Sequence, residues 1–273
     1  MLGFALPLEL EFLYDLRMSN EATQNRLAFS AEALPYFVRA ILFGLSTLIY
    51  VPAAEQFTKL IQYVTSHLRF ADGTTVAYSG SANDVKQPLL GITILVWANI
   101  ILSAMFKDQL LHIGISIALA IASGYVGFQV IQAVVPHLTT SNGSRLNFAG
   151  TLEDYIKWQL MITGASVVPA LLAYLLPQSG FLGALIAIAV ALLALGLIAF
   201  VLVLYSKWIA SKVAGGSRIA DFNAEPIEMI GMMIGFVLFS MLIVTIPWSV
   251  IWYTKWMFSR YSLPARAAAA VNG

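Results

Sequence analysis

The chain contains no cysteine and few charged residues. The absence of cysteine excludes a disulfide scaffold, cysteine-based zinc or iron–sulfur sites and thiol catalysis. Only 11% of the 273 residues are Asp, Glu, Lys or Arg, and the formal net charge is +1, whereas about 25% charged residues are usual in a soluble domain. A surface that binds nucleic acid needs clustered cations to neutralise phosphates. We therefore expect no nucleic-acid partner.

Apolar residues take the place of the missing charge and make up 59% of the chain. A membrane-spanning helix needs about 20 predominantly apolar residues. Six nearly uncharged stretches approach or exceed that length: 33–54, 89–106, 110–135, 158–176, 181–205 and 229–254. We predict an all-α transmembrane protein, a helical bundle of six spans. Residues 26–261 would form a single multi-pass membrane domain, preceded by a polar or amphipathic extension (1–25) and followed by a flexible tail (262–273).

Two amphipathic segments leave a count of eight spans open. Residues 53–68 carry apolar side chains at helical spacing on one face and polar ones elsewhere. Residues 248–260 follow Pro247 and place Trp248, Trp252 and Trp256 at positions i, i+4 and i+8, which predicts an interfacial aromatic belt. Each segment either lies flat on the membrane or returns through it, so the alternatives are six spans with two interfacial helices, or eight spans.

Four short segments of alternating apolar and polar residues recur, each shortly before a predicted span: 26–32, 75–81, 145–151 and 218–225. Alternation with period two is typical of β-strands. The dipeptides Asp72-Gly73, Asn142-Gly143 and Gly215-Gly216 precede three of them and are typical of tight hairpin turns. The pattern predicts internal repeats and three small β-hairpins, which must be extramembrane because open strand edges do not occur in lipid.

The basic residues are distributed unevenly between the two predicted sides. The side that holds the hairpins also holds most Lys and Arg residues, and the connections at 106–110 and 177–180 contain only Lys107. An excess of Lys and Arg marks the cytoplasmic side. We therefore expect the hairpin loops to face the cytoplasm.

The order of these features resembles the YjgN-type family of bacterial inner-membrane proteins. The similarity is carried by AFSAEALPYFVRAILFGLSTLIYVPAAEQFTKLIQYVTSHLRFADGTTVAYSG (28–80), by SKWIASKVAGGSRIADFNAEPIEMIGMMIGFVLFSMLIVTIPWSVIWYTKWMFSRY (206–261) and, more loosely, by RLNFAGTLEDY (145–155). Since this family has no settled activity, the resemblance implies a bacterial inner-membrane location and an architecture more than a function.

Polar side chains inside the predicted spans are the candidate site residues, because they are costly in lipid. Asn99, Gln129, Gln132 and Arg39 form this candidate intramembrane cluster. Gln129 and Gln132 lie one turn apart, and we expect them to face Asn99 across the short connection between two spans. They either bond neighbouring helices together or bind a solute.

The sequence carries no signature of an enzyme or of a cofactor site. The P-loop, GxSxG, HExxH and dinucleotide patterns are missing. The spacing of the three histidines does not favour a shared metal ion. We expect a protein that is not an enzyme and has no cofactor.

The sequence leaves two hypotheses for function. In the first, the protein is a scaffold or accessory subunit of a membrane assembly, in contact with membrane lipid and with a protein partner or a second copy of itself, because exposed strand edges can pair with another chain. In the alternative, it is a channel or facilitator for a small neutral solute or lipid, with Asn99, Gln129 and Gln132 along the path.

Overall fold

A computed structural model of the chain describes residues 25–106, 109–176, 180–215 and 218–263. Most of the predicted N-terminal extension and of the predicted tail lies outside these ranges. The described residues contain eight α-helices: α1 (Ala33–Ser46), α2 (Tyr50–Ser66), α3 (Ala82–Met105), α4 (Gln109–Val134), α5 (Leu152–Leu175), α6 (Gly180–Lys212), α7 (Pro226–Ser240) and α8 (Ile246–Ser259).

Nine very short strands accompany the helices: β1 (Leu27–Phe29), β2 (Leu68–Phe70), β3 (Val76–Tyr78), β4 (Leu138–Thr140), β5 (Leu146–Phe148), β6 (Val213–Gly215), β7 (Arg218–Ile219), β8 (Asp221–Phe222) and β9 (Tyr261–Ser262). The prediction of a mainly helical protein with small strand pairs is confirmed.

The order strand, helix, helix, strand occurs four times along the chain. In each case the first strand pairs antiparallel with the last one, as β1–β2, β3–β4, β5–β6 and β8–β9. The aromatic residue that ends the first strand lies opposite the first residue of the last strand, as in Phe29–Leu68 and Phe222–Tyr261. In each pair, the first helix therefore begins and the second helix ends at the same end of the molecule.

Contacts between neighbouring pairs join the strands into a closed circuit. Bridges between Arg69 and Thr75 and between Thr139 and Arg145 connect the first three pairs. Strand β6 pairs with β7, whose chain continues through Ala220 into β8. A bridge between Arg26 and Ser262 then connects β9 to β1. We call this circuit the strand ring; it consists of four small sheets that are joined by single bridges and, between β7 and β8, by the chain itself.

The hairpin prediction is only partly correct. The turns form at the predicted glycines, with φ of +85° at Gly73 and +78° at Gly143. However, a single bridge joins the strands on either side of these two turns, whereas the three-residue ladder of β2 is made with β1. Only the third predicted hairpin forms locally, with two residue pairs between β6 and β7. The reason is that the helix pair between β1 and β2 returns the chain to its starting point, and no local pattern next to the turn reveals this.

The helices form a second closed circuit above the strand ring. Each helix packs against the one before it and the one after it, and α8 packs against α1. The large apolar side chains on the long helices are widely exposed, for example Ile94 and Ile101 on α3 and Ile117 and Ile121 on α4. Such a surface suits contact with lipid.

Among the described residues, four helices, α3 to α6, are long and apolar enough to cross a membrane. The prediction of six or eight spans is not confirmed, because the predicted spans 33–54 and 229–254 are each interrupted. In the first, the hydroxyls of Ser46 and Thr47 donate to the carbonyls of Phe43 and Gly44, both at 2.6 Å, and α1 ends. Hydropathy does not detect this break, since Ser and Thr interrupt a hydrophobic run only weakly.

The second interruption separates α7 from α8. The chain turns through residues Ile243–Thr245, and Pro247 lies in the first turn of α8. Proline is favourable in the first turn of a helix but not in its interior. Helix α7 has therefore already ended at Ser240, and the proline marks the start of α8.

Alternate strand residues fill the strand ring with apolar side chains. The ring encloses a cavity of about 190 Å³, lined among others by Leu27, Phe70, Val76, Leu146 and Leu263. Each first strand ends in an aromatic residue, and the small residue two positions later leaves room for the aromatic side chain. A Cβ atom added at Gly80 would fall on the hydroxyl group of Tyr78, and one added at Gly150 on the ring of Phe148.

Candidate functional site

A groove of about 630 Å³ lies between α3, α4 and α5. Most of its lining is apolar, but six uncharged polar side chains contribute to it: Asn99, Ser116, Ser123, Gln159, Thr163 and Ser166. We call this feature the polar groove. Its described lining residues include no titratable group, so it offers hydrogen bonds to a neutral ligand rather than acid–base chemistry.

The polar side chains of the groove follow the long axis of the bundle. Gln159 lies seven residues beyond the start of α5, which is about 10 Å above the strand end of that helix at about 1.5 Å per residue. Asn99 lies 17 residues beyond the start of α3, or about 25 Å. Ser123 and Thr163 fall at intermediate heights. The groove therefore presents polar groups spread along the bundle axis, not a single cluster. The hydroxyls of Thr163 and Ser166 donate to the carbonyls of Gln159 and Ile162 in their own helix, at 2.9 and 3.4 Å, and can still accept hydrogen bonds.

The polar groove lies on the helix faces that point away from the exposed apolar side chains. On α4 it is lined by Ser116, Ala120 and Ser123, which share one face at helical spacing. The exposed Ile117 and Ile121 lie on the other side of the same helix. Residues on α3 divide in the same way, so the groove side and the exposed apolar side of these helices face different directions.

Aromatic side chains lie next to the strand end of the polar groove. Tyr155 is buried, and a Cβ atom at the groove residue Gly127 would lie 2.8 Å from its hydroxyl oxygen. The ring of Tyr155 packs 6.1 Å from Phe128 and 6.1 Å from Trp208. This aromatic cluster therefore borders the groove on the side of the strand ring.

Of the four predicted cluster residues, only Asn99 lines the polar groove. Gln129 lies 13 residues beyond Ser116 on α4, or about 20 Å toward the strand end, and Gln132 lies still further along. The structure therefore does not bring Gln129 and Gln132 opposite Asn99. Sequence reasoning also missed the hydroxyl side chains, although their helical spacing on α4 and α5 was a usable signal.

Arg39 is held at the strand end of the first helix pair. Its guanidinium carbon lies 4.2 Å from the centre of the Tyr63 ring, and its Nη1 donates to the carbonyl of Pro35 at 3.1 Å. The other side of this aromatic residue contacts His67, with ring centres 4.3 Å apart. Arg39 thus stabilises the packing of α1 on α2 through a cation–π contact and is remote from the groove.

The three tryptophans of the predicted aromatic belt lie along α8 at successive heights, spread over about 12 Å. Trp248 and Trp252 are exposed, and Trp252 packs edge-on against Phe239 with centroids 5.7 Å apart. Trp256 packs in the interior, and the guanidinium of Arg260 lies 5.4 Å from its ring. Two of the three are therefore available at the surface, and the belt stays a prediction.

Helix α2 has an exposed face of unusual composition. Its described exposed side chains are all polar: Glu55, Lys59, Gln62 and Ser66. These residues share one face of the helix at spacings of three and four. Large exposed apolar residues, which are frequent on α1 and α3, are not found among the described side chains of α2.

Within the part of the chain that the structure describes, no group of three or more His, Asp or Glu residues is placed to hold a metal ion. In comparisons with known proteins, no protein family, no curated protein and no solved structure matches this chain significantly.

Proposed function

We propose that the protein is a non-enzymatic membrane facilitator for a small neutral polar solute, with the polar groove as its path. The track of uncharged amides and hydroxyls from Gln159 to Asn99 carries this proposal. A neutral solute that leaves water must replace its hydrogen bonds, and such groups replace them without the cost of a buried charge. Selectivity in channels depends on such hydrogen-bonding groups along the pore.

The polar face of α2 supports a hydrated interior. A charged side chain at the centre of a bilayer costs several kcal/mol, so Glu55 and Lys59 are unfavourable in contact with lipid tails. Because the exposed side chains of α2 are polar, the helix is better suited to line a water-filled space inside the helix circuit than to face lipid.

The strand edges no longer favour a scaffold. The scaffold hypothesis depended on open edges that could pair with another chain, and in the strand ring much of each strand is already paired or bridged to a neighbouring strand. The outward apolar faces of α3 and α4 support contact with membrane lipid as the main external interaction.

We further propose a bacterial inner-membrane location with the strand ring in the cytoplasm, internal repeats, and membership of the YjgN-like family. Among the described residues, every Lys and Arg lies on the strand-ring half of its element, while Lys107 stands alone in the sequence between α3 and α4. This asymmetry supports the orientation through the excess of basic residues on cytoplasmic sides. The fourfold order of strand, helix, helix, strand supports the repeats.

Flux measurements in liposomes test the facilitator. The groove variant combines Asn99→Leu, Gln159→Leu and Thr163→Val, and the matched control combines Gln129→Leu and Gln132→Leu, which remove amides outside the groove. Uptake of glycerol and urea is followed by light scattering after an osmotic step. We expect the parent and the control to accelerate uptake and the groove variant to fall to the rate of empty liposomes. A parent without flux, or a groove variant that conducts as well as the control, would refute the proposal.

A further inference from the structure

We infer that the α1–α2 and α7–α8 pairs are re-entrant hairpins, whose tips end inside the hydrocarbon core of the bilayer and contact lipid acyl chains. The chain then crosses the membrane with α3 to α6 alone. In place of six or eight crossings, there are four crossings and two hairpins that enter from the strand-ring side and return to it.

The helices of these two pairs are too short to cross. Helices α1 and α8 have 14 residues each, α7 has 15 and α2 has 17, which correspond to about 21–26 Å at about 1.5 Å per residue. The hydrocarbon core is about 30 Å thick. By contrast, α3 and α5 have 24 residues each, or about 36 Å.

A hydrogen bond fixes the depth of the first tip. The indole Nε1–H of Trp97 on α3 donates to the carbonyl oxygen of Leu48, in the turn between α1 and α2, at 3.0 Å. Trp97 lies eight residues before Met105, the last residue of α3, so the tip lies about 12 Å below the far end of that helix. If α3 crosses the membrane, this tip lies within it.

The tips expose apolar side chains where a water-facing turn would expose polar ones. At the second tip Ile243 is 82% exposed and Val244 is 78% exposed, and their neighbours Met241 and Leu242 are similarly accessible. At the first tip Ile49 is 65% exposed. Four consecutive exposed apolar residues are strongly unfavourable in water and suit contact with acyl chains.

Several backbone groups of both tips are hydrogen-bonded within the protein, which favours a position in hydrocarbon. At the first tip the N–H groups of Leu48 and Ile49 donate to the carbonyls of Leu45 and Ser46, at 3.2 and 3.0 Å, and the carbonyl of Leu48 accepts from Trp97.

At the second tip, Thr245 makes the hydrogen bonds to the backbone. The N–H of Thr245 donates to the carbonyl of Leu242 at 2.8 Å, and its hydroxyl donates to the carbonyls of Phe239 and Leu242. Thr245 therefore bonds two carbonyls that the end of α7 would otherwise leave to solvent.

Spin labels attached to single cysteines test the depth of the tips, since the chain has no cysteine of its own. The variants Ile49→Cys and Ile243→Cys report on the two tips, and Met105→Cys reports on the far end of α3. The labelled full chain is placed in phosphatidylcholine vesicles. Collision rates are measured with oxygen, which concentrates in hydrocarbon, and with a water-soluble nickel complex. Both tip variants replace exposed residues. Because each reports on its own tip, one variant can still test the depth if the other folds poorly.

We expect the ratio of oxygen to nickel collisions to be at least about tenfold higher at positions 49 and 243 than at position 105. A nickel collision rate at the tips that equals or exceeds the rate at position 105 would overturn the inference, because the tips would then lie in water. Low collision rates with both reagents would also overturn it, because the tips would then be covered by protein.

Discussion

The backbone N–H of Leu263 donates a hydrogen bond to the carbonyl oxygen of Asn25, with a nitrogen–oxygen distance of 2.9 Å. The bridge between Arg26 and Ser262 lies beside this bond. The residue before β1 and the residue after β9 thus meet, and this contact joins the first and last strands of the strand ring.

A circular permutant tests this closure. A short Gly-Ser linker joins residue 263 to residue 25, and the new ends are placed between Asn142 and Gly143, in an exposed turn. Since exposed turns tolerate new ends, we expect the melting temperature in detergent to stay within about 4 °C of the parent, the shift that about 1 kcal/mol produces in a domain of this size. A second permutant, opened between Asn147 and Phe148 within β5, is the control and should melt much lower. Equal melting temperatures for both permutants would contradict the importance of the ring.

The close packing of the aromatic residues in the strands predicts that one added methyl group lowers stability. In Gly80→Ala the new Cβ would overlap the hydroxyl of Tyr78, and we expect a loss of about 1–3 kcal/mol, as for other overpacked sites. Gly44→Ala is the control, because no atom lies within 4 Å of that position. Adding Tyr78→Phe should restore part of the stability, because that hydroxyl lacks a hydrogen-bond partner among the described atoms. A thermal shift assay distinguishes the variants; equal melting of Gly80→Ala and Gly44→Ala would count against the close packing.

The ion pair between α7 and α8 should contribute more to stability than a surface pair. Arg260 Nη2 lies 3.2 Å from Glu228 Oε1, with the side chains 21% and 27% exposed. Lys157 and Glu153 make a shorter contact of 2.7 Å, but their side chains are 60% and 78% exposed. We expect Glu228→Gln to cost about 1–2 kcal/mol and Glu153→Gln to cost clearly less, because solvent screens an exposed pair. Denaturation of both variants in detergent measures the difference, and a larger loss for Glu153→Gln would reverse this ranking.

The stability of the strand ring should decrease at alkaline pH. Burial raises the pKa of the Tyr261 hydroxyl above its ordinary value, against an opposing hydrogen bond with Ser206. Because the unfolded tyrosine then ionises first, its contribution to stability is complete below about pH 10 and is lost as the pH rises toward the folded pKa. We expect melting temperatures between about pH 9 and 11.5 to fall less steeply in Tyr261→Phe than in the parent. Tyr125→Phe, on the exposed side of α4, is the control; a slope for Tyr261→Phe equal to that of the parent would argue against this contribution.

The polar face of α2 should react with water-soluble thiol reagents. In the cysteine-free chain, Lys59→Cys and Gln62→Cys are compared in sealed vesicles with Ile94→Cys on the apolar face of α3. A thiol reacts as the thiolate, and an apolar environment raises the thiol pKa and so lowers the thiolate fraction. We expect the two α2 positions to label at least about tenfold faster than position 94, the ratio that a thiol pKa higher by about one at position 94 would produce. Equal rates at all three positions would show that α2 lies against lipid or protein.

The long helices and the strand positions were predictable from the sequence for physical reasons. Helices α3 to α6 follow uncharged stretches long enough to cross lipid, and the alternation at 75–81 and 145–151 matches β3 and β5 closely. The pairing of these strands was not predictable, because β1 meets β2 only after an intervening helix pair. Local patterns carry no information on contacts at such separations.

The candidate site was only partly predictable. Asn99 was found because an amide in a predicted span stands out, and it lines the polar groove. Ser116, Ser123 and Thr163 line the same groove but are common in transmembrane helices, so composition alone does not single them out. Gln129 and Asn99 lie at different distances from the strand end of their antiparallel helices and are therefore far apart. Only the packing of the two helices reveals this separation.

Because each strand, helix, helix, strand unit starts and finishes at the ring, a whole unit can be gained or lost during evolution without inverting the remainder of the chain. Most multi-pass chains reverse their downstream topology when a single helix is added. Here growth by duplication would enlarge the circumference of the molecule and leave its sidedness intact.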